Sequence, residues 1–174
     1  FVYQDGERRS LPTFFMARYP VTNLQYQAFI NAGGYEKKAR WKFWKIERGT
    51  DWWRDLKQPE LEARHAPHGN RPRTNVDWYE ALAFSRWLSA QLGYEVRLPA
   101  EDEWARAALG RDGREYPWGN RYETGHANVN ENDADVGEWV LSRTTAVGVY
   151  PQGASTEGVL DLAGNVWEWC LNKD

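Results

Sequence analysis

The sequence predicts a single α+β domain with a high loop fraction, and three observations predict it. A length of 174 residues suits one domain with a real core and is too short for two comfortable ones. Helix start and stop signals recur at a few well-separated places, between short extended runs. The chain also carries 11 Trp, 9 Tyr, 15 Gly and 8 Pro, a composition in which large aromatic anchors pin irregular segments.

"LPTFFMARYPVTNLQYQAFINAGGY" reads as a strand followed by a helix. Residues 13–19 are apolar and aromatic, and Pro20 stops the run. Thr22 with Gln25 forms a capping box for a helix through about Asn31. Tyr26, Phe29 and Ile30 share one face, and Gly33-Gly34 ends the helix. Residues 35–74 show no clean period. "TNVDWYEALAFSRWLSAQLGYEVRLP" is the clearest helix, capped by Asp77, boxed by Glu80 and stopped at Gly93. Phe84, Trp87, Leu88 and Leu92 are its predicted buried stripe. An extended piece, Tyr94 to Leu98, leads to a third helix from about Glu101 to Leu109, with Trp104 and Ala108 inward and Gly110 beyond. After "YPWGN" only short extended runs are expected, such as 146–150 and 166–170, joined by Gly, Asn and Asp turns.

Charge is nearly balanced, 22 Lys plus Arg against 25 Asp plus Glu, so no global field favours nucleic acid or an acidic membrane. Basic residues interleaved with Trp41, Phe43 and Trp44 are the kind of pattern that stacks bases, and the charge balance argues against it. His65 and His68 have a ligand-like spacing, but Pro67 lies between them and no third ligand is near; they read as loop residues. No apolar run approaches a membrane span. A single cysteine excludes an internal disulfide framework and fits a reducing, cytoplasmic compartment.

"YPVTNLQYQAFINAGGY", "NVDWYEALAFSRWL", "RLPAEDEWARAALGRDGREYPWGN", "TTAVGVYPQGAS" and "GVLDLAGNVWEWC" occur in that order. Together they resemble the domain of the formylglycine-generating enzyme, or sulfatase-modifying-factor, family. The resemblance implies that family's variant of the C-type lectin fold, covered here over roughly its first two-thirds and therefore incomplete at the C-terminus. One departure is Ala100, where the family usually has a capping Thr.

In "GVLDLAGNVWEWC" an extended backbone turns Val166, Glu168 and Cys170 one way and Trp167 and Trp169 the other. The expectation is that the two indoles enter the core while Glu168 faces a polar loop. A hard cation such as Ca²⁺ takes six to eight oxygens from carboxylates, carbonyls and water, and Asp161, Glu168 and the turn at Gly164 are donors of that kind. The residues alone leave the alternative of a Glu168 paired to backbone amides or to an Arg. The resemblance implies a structural Ca²⁺, with side chains from Asp161 and Glu168 and backbone oxygens from Gly164 and Val166. It also implies a second Ca²⁺ site beginning at Asn128 with the Val129 carbonyl, in a loop rich in oxygen donors, against the alternative of a solvated acidic loop.

Cys170 sits beside Glu168 and two indoles, which raises rather than lowers a thiol pKa. It reads as a small buried hydrophobe. Oxidases of the family hold copper with two cysteines beyond an Arg-Gly-Gly-Ser-rich segment, and Cys170 matches neither. The function expected is therefore non-catalytic: a calcium-stabilised display or recognition domain for a protein or small ligand, similar to the variable proteins of diversity-generating retroelements. The alternative is a copper-dependent oxidase converting a substrate cysteine to formylglycine, if the chain continues into the cysteine pair. On either reading a partner chain or a further segment is expected to cover the C-terminal edge, because each bare indole forfeits on the order of 1.5–3 kcal/mol of burial.

Overall fold

A computed structural model describes residues 2–4, 7–36 and 68–171. Trp41, Phe43, Trp44 and His65 lie outside the described residues, and with them the aromatic and basic stretch weighed above. The described chain is mostly loop, with three helices and one short ladder. Strands β1 (Val2–Gln4) and β2 (Glu7–Arg9) pair antiparallel, Val2 opposite Arg9. Helix α1 spans Asn23–Asn31, α2 Trp78–Leu92 and α3 Glu101–Leu109. Beyond α3, the only helical turn among the described residues is a 3-10 turn at Pro151–Gly153. No helix among the described residues is long and apolar enough to cross a membrane.

The helices begin where local chemistry satisfies their free amides. At α1 the Thr22 hydroxyl accepts from the Gln25 amide, and the Gln25 side chain accepts from the Thr22 amide at 2.8 Å. At α2 the Asp77 carboxylate and Glu80 make the same reciprocal pair, both bonds 2.8 Å. Gly93 closes α2 in a left-handed conformation at φ 76°. Helix α3 has half a box, since Ala100 offers no side-chain acceptor. Glu103 still accepts from the Ala100 amide at 2.8 Å, and two Arg97 bonds of 2.6 and 2.7 Å hold its carboxyl below the ordinary range.

Two cores organise the described residues. In the first, α1 packs on α2 through Tyr26, Phe29, Ala83 and Phe84, with Ile30, Tyr35, Val76, Trp87 and Leu88 around them. Tyr26 stacks on Phe84 with centroids 5.3 Å apart, and Phe29 meets Phe84 edge-on at 6.0 Å. Burying each such ring contributes roughly 1.5–3 kcal/mol. Gly34 is needed here, because a Cβ would lie 2.3 Å from the Phe29 ring. The second core joins Ala107 and Ala108 of α3 to Val159 and Leu162, flanked by Met16, Trp104 and Leu109.

Several expectations are corrected. Residues 13–19 form no strand; the segment lacks a neighbouring ladder and touches the second core through Met16, while Phe15 is fully exposed. Leu92 is exposed rather than buried, because α1 covers only the earlier turns of α2, where Leu82, Ala83 and Phe84 go inside instead. The pieces at 94–98, 146–150 and 166–170 are unpaired loop. In the first of these, Val96 ties back to α2 through bonds of its amide and carbonyl with the Ser89 hydroxyl.

Candidate functional site

The second core presents a loop that carries the carboxylates singled out in the sequence. Val159, Leu160 and Leu162 are buried, and the Leu160 amide donates to the Arg18 carbonyl at 2.9 Å. Asp161 lies between these anchors, 9% exposed and in the left-handed region at φ 61°. Its Oδ2 accepts from the Gly148 amide at 2.6 Å. Asn165 follows at φ 66°. Left-handed backbone at a non-glycine residue costs of order 1 kcal/mol or more, so two such residues in one loop mark a conformation held by its surroundings.

Gly164 permits the closest approach in this loop. It bridges to Asn128 in parallel register, and a Cβ there would stand 2.5 Å from the Asn128 carbonyl oxygen. Val129 packs against the same spot through Cγ1. The Asn165 amide donates to the Asn128 carbonyl at 2.8 Å, and Asn165 Oδ1 accepts from Asn128 Nδ2 at 3.2 Å. Asn128 Nδ2 also donates to the Arg143 carbonyl at 2.8 Å.

Glu168 is where the structure departs most from the sequence reading. The alternation along 167–170 holds, but the faces are reversed: Trp167 is fully exposed and Trp169 is 49% exposed. Glu168 turns inward, and its Oε2 accepts from Trp104 Nε1 at 2.5 Å. The reason lies far off in sequence, in an indole donor on α3 that takes the inner position. Trp169 and Trp78 serve at the rim, donating to the carbonyls of Val76 and Cys170.

Burial pushes the Glu168 carboxyl above its ordinary range, Asp161 adds to the rise, and the Trp104 bond opposes it. Burial likewise raises Asp161, against the Gly148 amide and Asn165. Among the described residues, neither carboxylate has a cationic side chain acting on it. Two inward-facing acids close enough to repel, with no Lys or Arg of the described residues opposite, are an incomplete charge arrangement. A hard cation would complete it. Glu168 Oε1 and the Val166 carbonyl accept no hydrogen bond, and the Gly164 carbonyl accepts one, from the Val166 amide at 2.9 Å. Oxygen donors of this mix fit Ca²⁺. Among the described residues no group of three or more His, Cys, Asp or Glu gathers as a metal cluster, so an ion here depends on backbone oxygens.

The acidic loop after Asn128 behaves differently. Glu131 is wholly buried, with its carboxylate accepting from Tyr122 Oη at 2.6 Å, Thr124 Oγ1 at 3.4 Å and the Trp139 amide at 3.2 Å. The Tyr122 bond holds it below the ordinary carboxylate range. Asn132, Asp133, Asp135 and Glu138 stay exposed. Asn128 and Val129 therefore join the Gly164 loop, and the acidic side chains after them do not converge. The anchoring role of Glu131 was not read from the sequence. Only Gly137, whose Cβ would meet Glu131 Oε2, hints at the close approach. Cys170 is a free thiol and half-buried rather than buried, raised by burial with help from Glu101 and Glu168.

The family described as "Sulfatase-modifying factor enzyme 1-like domain" matches residues 4–174. The chain belongs to that family. It is 32% identical to a protein named hercynine oxygenase from Mycobacterium tuberculosis, over 95% of this chain and 40% of that protein. It is 31% identical to a formylglycine-generating enzyme of Thermomonospora curvata, over 93% of this chain and 60% of the relative. A serine/threonine-protein kinase Pkn1 of Chlamydia trachomatis is 33% identical over 95% of this chain and 25% of its own length. The chain thus spans about 40% of the hercynine oxygenase. All three relatives are named as enzymes. The expectation of a non-catalytic display domain is corrected on that finding: two of the three names are those of oxidative enzymes.

Proposed function

We propose that the protein is an oxidase of the formylglycine-generating type, turning a substrate cysteine into formylglycine, and that residues 1–174 form one calcium-stabilised, C-type-lectin-like unit of it. The observation that carries this reading is the formylglycine-generating relative, which aligns over 93% of this chain. The hercynine oxygenases support the same broad class.

Under this reading the residues divide by task. Asp161, Glu168 and the carbonyls of Gly164 and Val166 hold Ca²⁺, which supplies the positive charge that the two carboxylates lack. Asn128 and Val129 back the Gly164 turn from the other side. Copper is the redox metal of the activity. Cys170 is the sequence's single cysteine, and its raised thiol is a poor metal ligand. These residues do not fit a two-thiol copper site. The exposed edge of Trp167, Trp169 and Leu171 is the surface on which a partner chain or a further segment completes the assembly.

The test incubates the full-length protein, loaded with copper and calcium, with a cysteine-containing peptide under air. Mass spectrometry with aldehyde trapping reads the conversion. Aldehyde formation is the expected result. No aldehyde here, together with oxidation of hercynine in a parallel reaction, would move the assignment to the oxygenase relatives.

A further inference from the structure

We propose that the indole N–H of Trp104 is the positioning donor of the ion site, holding Glu168 so that its second oxygen faces the cation. This rests on the calcium reading above and extends it to a residue outside the ligand set.

Trp104 is held at both ends. Its amide closes the first turn of α3 on the Ala100 carbonyl at 2.9 Å, and Glu103 beside it is locked to Arg97. Its ring packs against the core of Ala107, Ala108, Val159 and Leu162. The same core holds Val159 and Leu162, which stand on either side of Asp161 in the chain. One rigid cluster therefore fixes both carboxylates: Asp161 through its neighbours in the chain, and Glu168 through the indole.

The choice of donor matters. An indole N–H can only donate, so it favours an ionised acceptor and competes for no cation. It occupies Glu168 Oε2 and leaves Oε1 without a hydrogen bond. Trp78, Trp118 and Trp169 donate to the backbone carbonyls of Cys170, Arg121 and Val76. Those bonds pin loops. The Trp104 bond instead ends on an inward-facing carboxylate with no side-chain cation of the described residues acting on it. Groups that orient a ligating carboxylate change metal affinity about 10–100-fold when removed.

The experiment compares Trp104→Phe with Trp78→Phe in the full chain stripped of metal, titrated with Ca²⁺ in a calorimeter. Trp104→Phe is expected to weaken Ca²⁺ binding about tenfold, while Trp78→Phe, which loses an indole bond to the same segment, keeps the unsubstituted affinity. Equal Ca²⁺ affinity in Trp104→Phe and the unsubstituted protein overturns the positioning role and leaves the ion site standing. Absence of Ca²⁺ uptake by the unsubstituted protein overturns the ion reading and this inference with it. Should Trp104→Phe not fold, the Trp104 indole N–H resonance of the unsubstituted protein is followed through the titration. A shift that saturates with Ca²⁺ supports the role, and a resonance that does not move overturns it.

Discussion

The α1–α2 half and the loop half after α3 are stabilised by different physics. The first is an aromatic stack, with Tyr26, Phe29 and Phe84 sealed between two capped helices. Its buried acid, Glu80, is raised by burial yet fully occupied, by Tyr35 Oη at 2.8 Å and the Asp77 amide at 2.8 Å. The second half has almost no regular structure and turns on Asp161, Glu168, Glu131 and the paired amides of Asn128 and Asn165. Apolar packing tolerates changes in solution conditions. Buried charge does not, and that is where an ion acts.

The sharpest way to break the comparison is in the aromatic half. Phe29→Ala should cost about 3–5 kcal/mol by cavity formation, measured by urea denaturation, with the same loss whether or not Ca²⁺ is present. Next comes the ion. At a free Ca²⁺ concentration about 100-fold above Kd, binding contributes about 2.7 kcal/mol. A chelator should lower the melting temperature accordingly, and Glu168→Ala should remove most of that sensitivity. Calorimetry that shows no chelator effect removes the ion from the loop half.

A smaller effect is expected at Gly153, where a Cβ would lie 2.0 Å from the His126 carbonyl oxygen. Gly153→Ala should destabilise by about 1–3 kcal/mol through overpacking of a loop that cannot yield. The smallest concerns the start of α3. Glu103 has its folded pKa lowered, chiefly by Arg97. Its contribution is therefore present above the ordinary carboxylate pKa of about 4.3 and lost as pH falls below it. Arg97 is 39% exposed at its side chain, so solvent screening limits the pair to about 1 kcal/mol or less. Glu103→Gln should flatten the acid limb of the stability curve by that much.

How far each half was legible in the sequence follows from the same contrast. The capping boxes at Thr22–Gln25 and Asp77–Glu80 span three residues, so α1, α2 and the face with Tyr26 and Phe29 were legible, while α3, which lacks a side-chain cap at Ala100, was read from its inward Trp104 and Ala108 and the Gly110 stop. Chain alternation at 166–170 was legible too. Which side faced inward was not, since it depends on Trp104, 64 positions away from Glu168. The Asn128–Asn165 pairing spans 37 positions and has no periodic signature. Asp161 and Glu168 both face inward, as residues with a common task would, but the indole holding Glu168 was assigned only to the core. Residues 13–19 failed in the opposite sense: strand-like composition without a neighbour to pair with remains loop.

The acidic turn has a practical consequence. Glu131 and Trp139 join their backbones at its base, with the Glu131 amide on the Trp139 carbonyl at 3.0 Å and the Trp139 amide on the Glu131 carboxylate. Residues 132–136, all exposed, are thus a tethered tip whose ends stay clamped whatever lies between them. Lengthening such a tip costs only about 0.6 kcal/mol per doubling, which makes it a place to graft a foreign epitope or affinity handle without disturbing the scaffold beneath.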